Sequence, residues 1–142
     1  MQSSPGTVFV DTSAWKAFYD ESDDWHKEAR SFMNSVGTKQ PPIRLFVTSD
    51  YVMDETLTLV RFAHSHSKAV EFANTISSSR ATKLFFVGED LFNKALSMFI
   101  GHRDQEWSFT DCVSFVLMKQ LNLTTAFAFD PHFKQAGFHT LP

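Results

Sequence analysis

The stretch TVFVDTSAW, residues 7–15, decides how the chain is read. Thr7 to Val10 are β-formers with three large apolar members, the composition of a strand covered on both faces. The run stops abruptly at Asp11, with Thr12 and Ser13 behind it. An Asp after a strand is often a turn residue or a helix cap. In an open parallel sheet the same place is the carboxyl edge, where ligands bind. Both readings stand on this stretch alone, and the rest of the chain must choose between them.

Working outward, Thr12 to Asp20 reads as a short helix carrying Ala14, Trp15 and Phe18. Ser22 or Asp23 caps a second helix, Asp24 to Val36, stopped by Gly37. KQPP is a loop. RLFVT, Arg44 to Thr48, reads as the second strand, and Ser49 or Asp50 caps a long helix to about His66. Ser67 to Ser79 is helical, KLFFVG (Lys83 to Gly88) is a third strand, and Glu89 to His102 is a helix. After the loop HRDQEWS, Ser108 caps a helix to Asn122. TTAFAF, Thr124 to Phe129, is a fourth strand, DPHF leads into a short turn at Gly137, and HTL adds a fifth strand. Apolar strands separated by helical stretches predict an α/β fold, a three-layer α/β/α sandwich around a mainly parallel sheet. One domain is expected over 1–142, with 1–6 as an N-terminal tail.

Of the 142 residues, 43% are hydrophobic and 20% charged, which predicts a packed core rather than disorder. Phe occurs 16 times, more than one small core readily hides, so some aromatic surface is expected at an interface. The net charge of −3 lacks the basic signature of broad electrostatic nucleic-acid binding. It does not argue against a nuclease, whose carboxylates hold metals that in turn hold phosphates. Cys112 is the single cysteine, so no intrachain disulfide forms and a reducing compartment is expected. MQSSPGT has neither a basic nor an apolar segment and does not read as a signal peptide. No apolar run approaches the roughly 20 residues that span a bilayer. A cytoplasmic protein without a membrane partner is the expectation.

The acids then sort by position. Asp11 follows the first strand and Asp130 follows TTAFAF, so a parallel sheet puts both on one rim. On the helix after RLFVT, Glu55 lines up with Val52, Leu59 and Phe62 and should face inward, whereas Asp54 shares a polar face with Asp50, Thr58 and Arg61. An inward carboxylate needs a metal ion or a basic partner. In WSFTDCVSFVLM, Ser108 and Asp111 have capping-box spacing, yet Asp111 also lines up with Phe115 and Met118 on the packed side. Asp104 reads as a loop residue able to approach the same rim. Several carboxylates on one rim raise one another's pKa unless cations balance them. Oxygen ligands without a Cys or His pair fit Mg2+ or Mn2+ better than Zn2+. His64 and His66, two apart on a helix, point in different directions. No GxGxxG, phosphate-loop or G-x-S-x-G motif is present.

Taken in order, FVDTSAW, the helical Glu55, WSFTDCVSFVLM and TTAFAFDPHF resemble the PIN domain, above all the VapC-type endoribonuclease toxins and their stand-alone relatives. The resemblance runs from about Val8 to Leu141. It implies a parallel-sheet α/β/α fold and an acidic quartet of Asp11, Glu55, Asp111 and Asp130 as catalytic residues binding one or two Mg2+ or Mn2+ ions. It implies that Ser13 and Ser108 support the acids or the phosphate. It further implies RNA as substrate, a homodimer, and a small antitoxin as partner of a toxin. TKQPPIR looks like an insertion relative to compact toxins.

Lys16, Arg44, Arg61 and Arg103 are candidate phosphate or RNA contacts, with a solvated surface charge as the alternative. Trp15 and Trp107 flank the expected site and could stack on bases, but core packing is the favoured reading. The Phe-rich LFNKALSMFI suggests a dimer face or an antitoxin groove, with ordinary core as the alternative. Aspartyl phospho-transfer folds fit poorly: a dehalogenase-like enzyme wants D-x-D where Asp11-Thr12-Ser13 stands, and a receiver wants an acceptor Asp after the middle strand, which ends here in Gly88. The non-enzymatic alternative is a catalytically silent PIN-like module that binds RNA or protein.

Overall fold

A computed structural model of the chain describes residues 6–142. Five strands, β1 (Thr7–Val10), β2 (Leu45–Ser49), β3 (Thr82–Phe85), β4 (Thr125–Phe127) and β5 (His139–Leu141), make one sheet in the order β3-β2-β1-β4-β5. Every pairing is parallel, so all strand C-termini share one edge. The chain builds the sheet outward from β1 through β2 to β3, then returns to add β4 and β5 on β1's other side. The β1/β4 boundary is therefore the topological switch point, where connections diverge and leave a crevice.

The connections are α1 (Thr12–Tyr19), α2 (His26–Ser35), α3 (Asp50–Ala63), α4 (His66–Ser78), α5 (Glu89–Gly101), α6 (Phe109–Gln120) and α7 (His132–Gln135). Helices α1, α3 and α4 pack on one another, as do α5 and α6, with α7 against α6. Right-handed crossovers put the two groups on opposite faces of the sheet, which gives the three layers expected. The sheet is buried because its central strands are apolar throughout: Val8, Phe9, Val10, Phe46 and Val47 are all buried. Much of the Phe content is spent in this core. Phe133 stacks on Phe9 and meets Phe115 edge-on, and Phe72 fills the space between Trp15 and Tyr19. No helix among the described residues is long and apolar enough to cross a membrane.

Several expectations need correction. Of the predicted tail, residues 1–5 lie outside the described residues, and Gly6 is anchored: its carbonyl accepts from the N–H groups of Arg44 and Leu45. Gly6 has φ +79, and a Cβ there would lie 2.7 Å from the Pro42 carbonyl oxygen, so the position needs glycine. Helix α2 starts at His26 rather than Asp24, because Asp23 accepts from the Trp25 N–H and holds a turn there. The third strand ends at Phe85; Phe86 projects 78% exposed and Gly88 caps α5. The fourth ends at Phe127, since the Phe129 N–H turns to the Ser13 hydroxyl instead of continuing the ladder. DPHF is not a plain turn but opens the short helix α7.

On α3 the buried line is Val52, Thr56 and Val60. Leu59 and Phe62, expected inward, are 40% and 80% exposed. The stripe drawn through Glu55 lies one step off the packed line, so Glu55 sits at the border of the buried face rather than on it. On α5 only Leu91 and Ala95 are buried, which leaves Phe92, Leu96, Phe99 and Ile100 on an apolar outer face.

Candidate active site

At the switch point four elements deliver one carboxylate each to a cleft of about 320 Å³. Asp11 comes from the tip of β1, Glu55 from α3, Asp111 from the first turn of α6, and Asp130 from the segment after β4. Each Asp is fixed by one of its oxygens. Asp11 caps α1: its Oδ2 accepts from the Ser13 N–H (3.2 Å) and from the Ser13 hydroxyl (2.7 Å). Ser13 Oγ in turn accepts from the Phe129 N–H at 3.0 Å, which ties the tip of β1 to the segment carrying Asp130. Asp130 Oδ1 accepts from the His132 N–H at 3.0 Å.

Asp111 satisfies both of its sequence readings at once. Ser108 and Asp111 form a reciprocal capping box, with Asp111 Oδ2 accepting from the Ser108 N–H at 3.0 Å. The same carboxyl is buried and lines the cleft. The N-terminus of α6 favours negative charge at this point. Ser108 itself is exposed and does not line the cleft, so its contact with the site runs through Asp111.

Electrostatics mark the cluster as frustrated. Burial pushes the Asp11 carboxyl well above the usual range, and Asp130 beside it pushes further, against the opposing Ser13 bond. Burial also raises Asp111; the Ser108 N–H and His132 oppose that rise, and Asp130 adds to it. Glu55 is raised by burial and by Asp111 and Asp130, while Thr12 and Thr110 beside it favour its charge. No Lys or Arg among the described residues pairs with Glu55. The basic-partner reading of that residue is therefore not met.

The donor set fits a hard divalent cation. It offers carboxylate oxygens at like-charged repulsive spacing, which a cation relieves. Thr12 Oγ1 is buried beside Glu55, whose charged form it favours. Cys112 is no soft alternative, since burial pushes its thiol up to about 11. The structure adds a nitrogen the sequence reading lacked. His132 Nδ1 lies 2.8 Å from Asp111 Oδ2, and single atoms of Asp111, Asp130 and His132 all fall within 4.8 Å of one another. The only sequence trace of this was spacing: His132 stands two residues past Asp130, where an Asx turn folds it back.

The expected cations fare unevenly. Lys16 lines the cleft, but its ammonium is held by Asp23 at 2.8 Å and Asp20 at 3.2 Å. Burial alone would lower its pKa; Asp23 and Asp20 outweigh that and raise it. Lys16 is thus a clamp on the loop between α1 and α2 rather than a free phosphate ligand. Lys16→Met should cost about 2 kcal/mol, between the values for exposed and buried pairs, because Asp20 is almost fully buried. Urea unfolding checks this, and a loss below about 0.5 kcal/mol would show the clamp to be idle. Arg44 is corrected outright: it precedes β2 and bonds to Gly6, at the amino edge of the sheet, away from the acids. Arg61 rests over the Phe62 ring, and neither it nor Arg103 nor Asp104 lines the cleft. Trp15 follows the core-packing reading, being 3% exposed and packed on Phe72. Trp107 packs edge-on to Phe115 and does not line the cleft. The aromatics that do are Trp25 and Phe129.

An all-parallel sheet with four acids converging at its switch point defines a PIN-type site, and the chain belongs to the PIN domain family, whose family model matches residues 8–139. Within that family it is 35% identical over 131 residues to the 23S rRNA-specific endonuclease VapC20 from two strains of Mycobacterium tuberculosis, covering 92% of this chain and 95% of that protein. The crystal structure of Mycobacterium tuberculosis VapC20, a sarcin-ricin loop cleaving toxin, superposes with a TM-score of 0.84 at 33% identity, covering 92% of this chain and 95% of that one.

Proposed function

We propose that the chain is a metal-dependent endoribonuclease that hydrolyses RNA phosphodiester bonds at the Asp11, Glu55, Asp111 and Asp130 cluster. The observation that carries this reading is the delivery of four acids by four separate elements to one cleft, in a chain so similar to an rRNA endonuclease. The four carboxylates would hold Mg2+ or Mn2+. Such an ion, when bound, supplies Lewis-acid stabilisation of phosphoryl charge and lowers the pKa of a coordinated water. The protein's own work is orientation and proton handling. Ser13 fixes Asp11, while the Ser108 N–H and His132 fix Asp111. Glu55, half-buried with a raised pKa, is suited to take the proton of the attacking water.

We extend the reading to a toxin with a small antitoxin partner, and to a homodimer that covers the apolar outer face of α5. Light scattering tests the dimer: a mass near 16.2 kDa would exclude it. The function itself is tested on RNA carrying the sarcin-ricin loop, with Mg2+, with Mn2+ and with EDTA. Discrete cleavage should appear with either metal and vanish with EDTA. Cleavage indifferent to EDTA would remove the metal mechanism.

A further inference from the structure

We infer that Trp25 and Phe129 form a nucleobase-stacking platform, so that the site takes an unstacked, single-stranded nucleotide beside the scissile phosphate. This rests on the RNA-cleaving reading above. Trp25 is 50% exposed, while the other tryptophans, Trp15 and Trp107, pack into or against the core. It lies in the same cleft as the carboxylates, and so does Phe129. The two rings are stacked, with centroids 5.3 Å apart and planes inclined by 11°. Phe129 backs one face of the indole, and its own second contact is the buried Phe127. Half of the Trp25 surface remains in water, enough to receive a planar group.

The mount is stiff. Asp23 accepts from the Trp25 N–H at 2.9 Å, and Lys16 clamps Asp23. Asp20, buried, accepts from both the N–H and the hydroxyl of Ser22 and closes the other end of the loop. Phe129 is held through its N–H by the same Ser13 hydroxyl that fixes Asp11. The platform is therefore joined to the acids through Phe129, which stacks on Trp25 and shares the Ser13 hydroxyl with Asp11. A phosphate bound at the acids carries a sugar and base on each side, and one of these bases reaches the indole within the cleft. Stacking requires that base to be out of a helix, and it tolerates any base because every base has a π-face. The surrounding charge disfavours an acidic peptide as the occupant. Lys16, the lysine in this cleft, is already held by Asp20 and Asp23, so an acidic peptide gains no free cation at Trp25.

The test uses Asp11→Asn protein in Mg2+, which separates binding from cleavage, and fluorescence anisotropy of a labelled single-stranded RNA. Adding Trp25→Leu should weaken binding by about 10- to 100-fold, while Trp25→Phe, which keeps a ring on Phe129, should recover most of it. RNAs carrying one abasic residue at successive positions give the readout that a purely structural role would not move. At one position, next to the cleavage site mapped with wild type, the Trp25→Leu penalty should disappear. Equal affinity of Trp25 and Trp25→Leu proteins, or a penalty independent of abasic position, would overturn the platform and leave the nuclease reading intact. Failure of every variant to bind RNA, together with no cleavage by wild type, would overturn both. An amphipathic peptide that binds with the same Trp25 dependence while RNA does not would assign the ring to a protein partner and overturn the inference.

Discussion

Asp11→Asn is expected to lower RNA cleavage by about 10³-fold, the scale of several kcal/mol of lost transition-state stabilisation, and at the same time to stabilise the metal-free protein. Both effects have one cause. Asp11 is buried against Asp130 and near Asp111, and its carboxyl is held well above the ordinary range by burial first and Asp130 next. An unfolded chain ionises this group near pH 3.9, whereas the folded chain keeps it protonated to higher pH. A folded pKa above the unfolded value gives stability that is fully present below the unfolded pKa. That stability is lost as pH rises through the folded value. Metal-free wild type should thus lose stability between mildly acid and neutral pH through this group, and Asp11→Asn should not. The difference between the two melting temperatures should be small near pH 4 and widen towards pH 7. Adding Mg2+ should narrow it, because an ion that binds only the folded wild type stabilises it by mass action. Thermal melts of both proteins across this range, with and without metal, decide the matter. A metal-free wild type as stable as the variant at pH 7 would mean that the cluster stores no electrostatic strain.

That strain explains what could be read in the sequence and what could not. Strand apolarity and the Asp at each strand tip are local signals, and parallel connectivity turns them into a shared rim by topology alone. Asp11 and Asp130 were legible for that reason, and so was the sheet, whereas Asp111 was legible from its line with Phe115 and Met118 on α6. Glu55 was found by a stripe through Leu59 and Phe62, which the fold leaves exposed; it reaches the cleft because the border of the α3 buried face points there. Trp25 and His132 carried no periodic signal. One stands just before α2 and the other opens a four-residue helix, and each is aimed by an Asx turn made by the Asp two residues earlier. Lys16 was legible as a cation near the site, but its partners Asp20 and Asp23 are chosen by a loop whose shape those same bonds create. Arg44 was misplaced because charge alone does not say at which end of a strand a residue stands relative to the ligand edge.

Ser13→Ala is expected to reduce cleavage by about 10- to 100-fold, the range seen when a group that orients a metal ligand is removed, although Ser13 is not itself one of the four acids. Its hydroxyl is a two-sided link, donating to Asp11 Oδ2 at 2.7 Å and accepting from the Phe129 N–H at 3.0 Å. Alanine leaves the Ser13 backbone N–H bond to Asp11 in place but removes both hydroxyl contacts. Asp11 then loses the bond that opposes its raised pKa, so its ionised, ion-binding form becomes harder to reach. The acid limb of the pH–rate profile should move to higher pH, and more Mn2+ should be needed for half-maximal protection in a thermal melt. Phe129 loses an acceptor near the end of β4, at a stability cost of about 1–3 kcal/mol. Ser13→Thr keeps the hydroxyl and should recover most of the rate. A loss of stability by itself would lower the melting temperature without moving the acid limb. Hence a Ser13→Ala protein that is folded at the assay temperature and has an unmoved profile and rate would show that Asp11 is positioned by β1 and its backbone bonds alone.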